Sequence, residues 1–202
     1  HHFVDPTGGH AISGGGGNDF IEVTGNNGSP KVFGVTLATN GNGGDDIIQG
    51  GGGKDLLHGN AGDDTIYGGN NDDDLWGDAG HDAMDGGAGN DKIHADADDF
   101  SDANTLDGFH TIDGGDGYDT VDISSLKSFD SDQAMRLENV EALAMDGKAS
   151  GGGGTSMTLS YDAAYGITQV GGLHTLSITG DKADSVHLTG GVWSQVGSSN
   201  EY

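Results

Sequence analysis

The chain has 202 residues, of which 33 are Asp or Glu and 7 are Lys or Arg, giving a formal net charge of −26. That sign excludes a surface built for nucleic-acid phosphates and disfavours an anionic membrane. No apolar run approaches the roughly 18 residues of a membrane-spanning helix, so membrane insertion is not expected. Glycine supplies 41 residues and cysteine none. A flexible, self-repelling chain must therefore be ordered by something other than disulfides, and bound cations would meet both deficits. No secretory leader opens the sequence, and His1-His2 is the sort of pair a purification tag leaves.

The acidic residues are periodic, which separates the chain from a disordered acidic tract. In chain order, a first block, GGGGNDFIE, covers 14–22. Residues 23–40 then interrupt the pattern over 18 residues, the length expected of one coil. Within them Val32 to Leu37 reads as a strand, while Thr24 to Lys31 lacks an aspartate and is expected to loop out, with a weak or missing metal site. From Gly41 six blocks follow without a gap: GNGGDDIIQ, GGGGKDLLH, GNAGDDTIY, GGNNDDDLW, GDAGHDAMD and GGAGNDKIH, ending at His94. An eighth block, GGDGYDTVD, covers 114–122.

Position one of every block is Gly, and position four is Gly except at Asn71. Position six is always Asp: Asp19, Asp46, Asp55, Asp64, Asp73, Asp82, Asp91 and Asp119. Position eight is always apolar: Ile21, Ile48, Leu57, Ile66, Leu75, Met84, Ile93 and Val121. The first six residues predict a turn and the last three a short strand with one buried side chain. So short a strand buries nothing alone, but stacked coils can pile the position-eight residues inside a two-sheet sandwich. Two blocks make one coil, so Asp46, Asp64 and Asp82 stack on one side and Asp55, Asp73 and Asp91 on the other, about 4.8 Å per step. Bare carboxylates that close repel by about 4 kcal/mol at ~4 Å and an effective dielectric near ~20. A hard divalent cation reverses that sign, and Ca2+ suits carboxylates mixed with backbone carbonyls better than Mg2+ does.

The blocks match G-G-x-G-x-D-x-U-x, the nonapeptide of the RTX (repeats-in-toxin) proteins, and the chain resembles that family over roughly residues 14–122. The resemblance implies an all-β fold, a right-handed parallel β-roll (a β-solenoid) with several Ca2+ ions between its turns. It implies side-chain ligands from the position-six aspartates. It implies carbonyl ligands from the turns, at Gly44, Gly53, Gly62, Asn71, Gly80 and Gly89.

After His94 the pattern decays to ADADDFSDANTLDGFHTID, where Asp96, Asp98, Asp99 and Asp102 crowd together. Either they hold another calcium, with Asp96 and Asp99 as ligands, or they form a solvated acidic loop; Asp113 and Asp116 pose the same choice. The expected division is therefore a roll over 1–122, with its insertion at about 23–40, and a β-rich C-terminal capping region over 123–202. Val140 to Met145, Met157 to Ser160, Thr175 to Thr179 and Ser185 to Thr189 read as strands, and Tyr161 to Gly166 as one helical turn. The order LENVEALAMDG, MTLSYDAAYGI, LHTLSITGDKADSVHLTGGVWS resembles a segment near the C-termini of large type I-secreted bacterial adhesins.

No zinc-protease, serine-hydrolase or Walker motif occurs, and no enzyme is expected. Gly50 to Lys54 only superficially suggests a phosphate loop, since Lys54 falls at a variable repeat position. His58, His81 and His94 also fall at variable positions and are expected on the surface, and Trp76 and Trp193 are candidate stacking residues. The sequence thus points to a monomeric, calcium-dependent folding module of a secreted, cell-surface adhesin. Its one expected partner is the type I secretion machinery, met in transit; its adhesion target is not legible. The tail of a secreted lipase, protease or epimerase, and a peptide- or sugar-binding module, are the alternatives.

Overall fold

Each nonad contributes one inward apolar side chain, and the architecture follows from where those side chains meet. The computed structural model describes the backbone of residues 2–4, 20–22 and 33–36. It describes backbone and side chains of 44–101, 112–145, 155–160, 163–164, 176–180 and 184–190. The strands before the unbroken repeats are β1 (His2–Val4), β2 (Phe20–Glu22) and β3 (Phe33–Thr36). Those of the repeats are β4 (Ile47–Gly52), β5 (Asp55–Ala61), β6 (Thr65–Asn70), β7 (Asp74–Ala79), β8 (Ala83–Ala88) and β9 (Lys92–His94). Beyond them come β10 (Ile112–Asp113), β11 (Thr120–Asp122), β12 (Ser128–Phe129), a short helix α1 (Ser131–Ala134), β13 (Leu137–Glu138), β14 (Ala142–Ala144), β15 (Ser156–Ser160), β16 (Ser177–Thr179) and β17 (Ser185–Thr189).

Successive strands alternate between two seven-stranded sheets. One runs β1-β2-β4-β6-β8-β10-β13 and the other β16-β14-β11-β9-β7-β5-β3. Every pairing between these strands is parallel, as a coil that always turns the same way requires. Register aligns position eight with position eight, Ile48 with Ile66 and Met84 in one sheet and Leu57 with Leu75 and Ile93 in the other. All six are buried, as are Ile112, Val121, Leu137 and Leu143 further along. Each such side chain stabilises the core by about 1.5–3 kcal/mol relative to exposure. The parallel β-roll expected of the sequence is the fold observed.

Three features differ from the expectation. The strands run to six or seven residues rather than three, because positions one to three of the next block stay paired, as at Gly51↔Gly69 and Gly52↔Asn70. Residues 23–40 do not hold a whole coil. Phe20 pairs directly with Ile47, 27 residues on, where the regular step is 18, and only β3 lies between them. The interruption is thus one strand plus about nine extra residues, and it sets Phe33 opposite Asp55, where a carboxylate would otherwise stand. At the other end the coil does not stop at Asp122. Both sheets continue into β13, β14 and β16, and a third parallel sheet, β12-β15-β17, adds a third side.

The third side has its own filling. Phe129, Met157 and Leu159 are buried, and Phe129 meets Phe100 edge-on at 5.5 Å between ring centroids. Helix α1 is capped at Asp130, whose Oδ1 accepts from Asp132 N (3.0 Å) and Gln133 N (3.1 Å), while Gln133 Oε1 accepts from Asp130 N (2.9 Å). The strands expected at 140–145, 157–160, 175–179 and 185–189 appear as β14 to β17. Of the helical turn expected at 161–166, residues 163–164 are helical and the others lie outside the described residues, as do Thr24 to Lys31 and Trp193. At the N-terminus, β1 pairs with β2 over an 18-residue step, so the chain's first residues lie in the sheet.

Leu75 is fully buried, whereas Ile47 is 41% exposed. Leu75→Ala is expected to lower the stability of the calcium-loaded roll by about 2–5 kcal/mol, and Ile47→Ala by far less. Urea denaturation of both variants in excess calcium checks the difference.

Candidate metal centre

The turns between strands carry the acidic residues, and sheet register determines how they meet. On one side the backbone N–H of Asp46 donates to Asp64 Oδ1 (2.7 Å), Asp64 N to Asp82 Oδ1 (2.8 Å) and Asp82 N to Asp99 Oδ1 (3.0 Å). On the other, Asp55 N donates to Asp73 Oδ1 (2.8 Å), Asp73 N to Asp91 Oδ1 (2.7 Å) and Asp91 N to Asp119 Oδ1 (2.7 Å). Each position-six carboxylate thus spends one oxygen on the preceding coil. The other is left over. Asp64, Asp73, Asp82, Asp91 and Asp119 each keep a buried Oδ2, and Asp55 keeps both oxygens, with no hydrogen-bond partner among the described residues.

Buried polar atoms are almost always paired, so this many orphaned oxygens in two rows ask for an electrophile. Their surroundings supply further oxygens. A Cβ on Gly50 would lie 2.5 Å from Asp55 Oδ2 and 2.6 Å from the Gly68 carbonyl oxygen. One on Gly68 would meet Asp73 Oδ2 at 2.6 Å and Gly86 O at 2.5 Å. Gly86 repeats this with Asp91 Oδ2 at 2.5 Å and Gly114 O at 2.6 Å. Position one is therefore Gly because carboxylate and carbonyl close in on its Cα. The carbonyls that approach belong to position one of the next coil, whereas the sequence reading had named position four.

Position four has a different task. Its N–H groups pair with the next coil, Gly44 with Ala61 O (2.9 Å), Gly53 with Asn70 O (3.2 Å), Gly62 with Ala79 O (3.0 Å), Asn71 with Ala88 O (2.6 Å) and Gly89 with Asp116 O (2.9 Å). Gly80 has φ 144°, and a Cβ there would strike the Gly62 carbonyl, so the coils stack only without one. Asn71 fills the same position at φ 75°, in the left-handed region that Asn tolerates.

With no cation, burial pushes the carboxyls up from the ordinary 3.8: Asp55 and Asp91 to about 6, Asp64, Asp82, Asp99 and Asp119 to about 7, and Asp73 to about 8. At Asp64, Asp73, Asp82 and Asp119 the neighbouring carboxylates of the row add to this, against the backbone N–H each accepts. No three His, Asp or Glu side chains gather round one point among the described residues. Each turn therefore offers one or two carboxylates with backbone carbonyls, a hard all-oxygen donor set that suits Ca2+ and not a histidine-seeking transition metal.

The other candidates separate. Asp99 is buried and extends the first row 17 residues after Asp82, one short of the regular step. Its Oδ2 accepts from Asp96 N (2.8 Å), and Asp96 Oδ1 accepts from Asp98 N (2.8 Å), so the pair folds a turn. Asp113 Oδ1 accepts from Gly115 N (3.1 Å) and from Asn139 Nδ2 (2.8 Å). Asp19 and Asp102 lie outside the residues whose side chains are described.

Position five, read as variable, forms an outer ladder of its own. Asp63 N donates to Asp45 Oδ1 (3.1 Å), His81 N to Asp63 Oδ1 (3.0 Å), and Lys54 pairs with Asp72 one coil on. Lys54 thus serves an ion pair rather than a phosphate loop. Nor are His58 and His94 plain surface residues: they stack on either side of Trp76, at centroid distances of 5.5 and 3.4 Å. His94 Nε2 lies 2.9 Å from Asp74 Oδ1 and its Nδ1 3.3 Å from Asp122 Oδ2. Burial alone would raise the Asp122 carboxyl, but hydrogen bonds from His94 and Ser124 hold it well below the usual range. The sequence reading missed Glu141, whose Oε2 accepts from Asp119 N (2.8 Å) and so continues the second row. The signal was present as the alternation of Glu141, Ala142 and Leu143, without the glycines that marked the nonads.

Asp64→Ala removes an orphaned oxygen and the acceptor for Asp46 N, and it is expected to raise the calcium midpoint of folding about tenfold or more, the ~1–3 kcal/mol of an unmet buried donor. Lys54→Ala touches only an exposed pair and should leave the midpoint within about twofold. Circular dichroism during calcium titration compares them. The raised carboxyls also dictate a pH dependence. Between the ordinary 3.8 and about 8 the cation-free fold binds more protons than the unfolded chain, so its stability is greatest on the acid side and falls as pH rises. In chelator, strand signal should therefore grow between pH 8 and pH 5, while the calcium midpoint moves to higher concentration as protons compete. A chelated chain that loses strand on acidification would contradict this.

The family model described as RTX calcium-binding nonapeptide repeat (4 copies) matches residues 11–29, 40–75 and 67–99. Comparison with curated proteins gave no match, and comparison with solved structures gave none. The two carboxylate rows and the glycine-cradled turns are thus those of RTX calcium-binding nonapeptide repeats, which this chain carries in tandem.

Proposed function

We propose that this chain is a calcium-driven folding module near the C-terminus of a type I-secreted bacterial surface adhesin. RTX repeats are a calcium-dependent β-roll module of type I-secreted proteins, and are generally non-catalytic. The observation that carries the reading is the set of buried Oδ2 atoms at Asp55, Asp64, Asp73, Asp82, Asp91 and Asp119, left without partners in two stacked rows. Those aspartates, with the turn carbonyls, are the proposed ligands. Calcium would supply the divalent charge that turns repulsion along each row into attraction.

The same residues act in opposite senses on the two sides of the membrane. In a low-calcium cytosol the carboxylates repel, the glycines favour disorder, and the chain stays extended enough to pass the secretion channel. Outside, calcium at around 10⁻⁴–10⁻³ M suffices for modules of this class, and binding free energy becomes folding free energy. The adhesin assignment rests on the C-terminal segment LENVEALAMDG through TGGVWS, which here winds further coils onto the roll.

Removing calcium with EGTA is expected to abolish the strand signal in circular dichroism, and restoring it to bring the signal back. A strand signal that persists in chelator at neutral pH would sink the proposal. The adhesin part has its own check in the parent gene. Long tandem repeats encoded upstream of Phe3 agree with it, and a zinc-protease or serine-hydrolase motif there would overturn it.

A further inference from the structure

The second row of carboxylates outlasts the nonads. Thr120 pairs with Ala142 and Ile112 with Leu137, which brings Glu141 level with Asp119 and Asn139 level with Gly114. Asp119 N donates to Glu141 Oε2 at 2.8 Å, as Asp91 N donates to Asp119 Oδ1 at 2.7 Å one coil earlier. Asn139 takes φ 53°, and its carbonyl oxygen is what a Cβ on Gly114 would strike first, with Asp119 Oδ2 3.0 Å away. This is the arrangement of Gly86, where the same two kinds of oxygen, Asp91 Oδ2 and Gly114 O, close on the glycine.

What makes the turn unlike a repeat is its length. Positions one and six of a nonad are five residues apart, whereas Asn139 and Glu141 are two apart. Three residues are missing, and the longer Glu side chain restores the reach to the Asp119 amide. Asp119 is fully buried, and its Oδ2 has no partner among the described residues.

We infer that this degenerate turn is a further Ca2+ site outside the recognised repeats, with Asp119 Oδ2 and the Asn139 carbonyl as ligands and Glu141 as the residue that positions Asp119. The family match ends at residue 99, so neither Asn139 nor Glu141 falls within it. The third side of the coil provides the contrast. There Thr155 N donates to Asp184 Oδ1 at 2.7 Å in the same manner, but the buried residue is a threonine whose Oγ1 donates to Leu126 O at 2.8 Å. No spare oxygen remains at Thr155, and the metal rows stay confined to the first two sides.

The inference rests on the calcium reading of the repeats, and one experiment separates the two. Crystals of the whole chain grown in CaCl2 should show an anomalous peak bonded to both Asp119 Oδ2 and Asn139 O, at about 2.3–2.6 Å from each. Peaks in the repeat turns with none here would overturn the inference and leave the repeat reading standing; no peaks in any turn would overturn both. In solution, Asp119→Asn keeps the acceptor for Asp91 N but loses the charge. Equilibrium dialysis at saturating calcium should find one ion fewer per chain, with unchanged circular dichroism. An undiminished count in a folded variant would also overturn it, and if the variant does not fold, the crystal result decides.

Discussion

The structure depends on one hydrogen bond repeated along the roll: the amide of each turn aspartate donates to the carboxylate of the aspartate in the next coil. That bond sets the step between coils and holds every carboxylate in a fixed orientation. It also creates the central difficulty, because it seats acidic groups one strand spacing apart, inside the fold, with half their acceptor capacity unused. A stack of this kind is stable only with its charge neutralised. Protons can do so weakly and calcium strongly, and everything else in the turns can be read as making room for the stronger one. Position-one glycines admit the oxygens, position-four residues bring coils close enough to share them, and the single apolar residue per strand aligns one turn over the next.

Much of this was legible in the sequence because the repeat is strict. The period gave the parallel coil, position eight the core and position six the rows. What escaped lay where the period breaks. The interval between Glu22 and Gly41 equals one coil in length, but length alone does not reveal that only β3 fits within it. Asp99 and Glu141 replace position-six aspartates at steps of 17 and 22 residues, after turns that have lost their glycines, and only register could bring them into line. The third sheet was invisible for a similar reason. Its strands recur at 28 and 29 residues, at Ser128, Ser156 and Ser185, too loosely to read as a period.

The outer faces show how much freedom the repeat leaves. Position nine in one sheet builds the His58–Trp76–His94 stack with Asp122 beside it, while the equivalent positions of the other sheet hold Gln49, Tyr67 and Asp85. Neither set touches the turns. The rows are common to all coils, whereas the surface is particular to this chain, which is how a folding device can be kept constant beneath a changing exterior.

The ladder also has a direction. Each buried amide in the rows receives its acceptor from the coil that follows it, never from the one before. Trimming coils from the front would therefore strand none of these donors, while trimming from the back would strand one in each row at every new end. The roll is lopsided in its tolerance of loss, and its rear boundary is the one that has to be finished with care. A glutamate standing in for an aspartate, and after it a third wall with an uncharged turn, are how this chain finishes it.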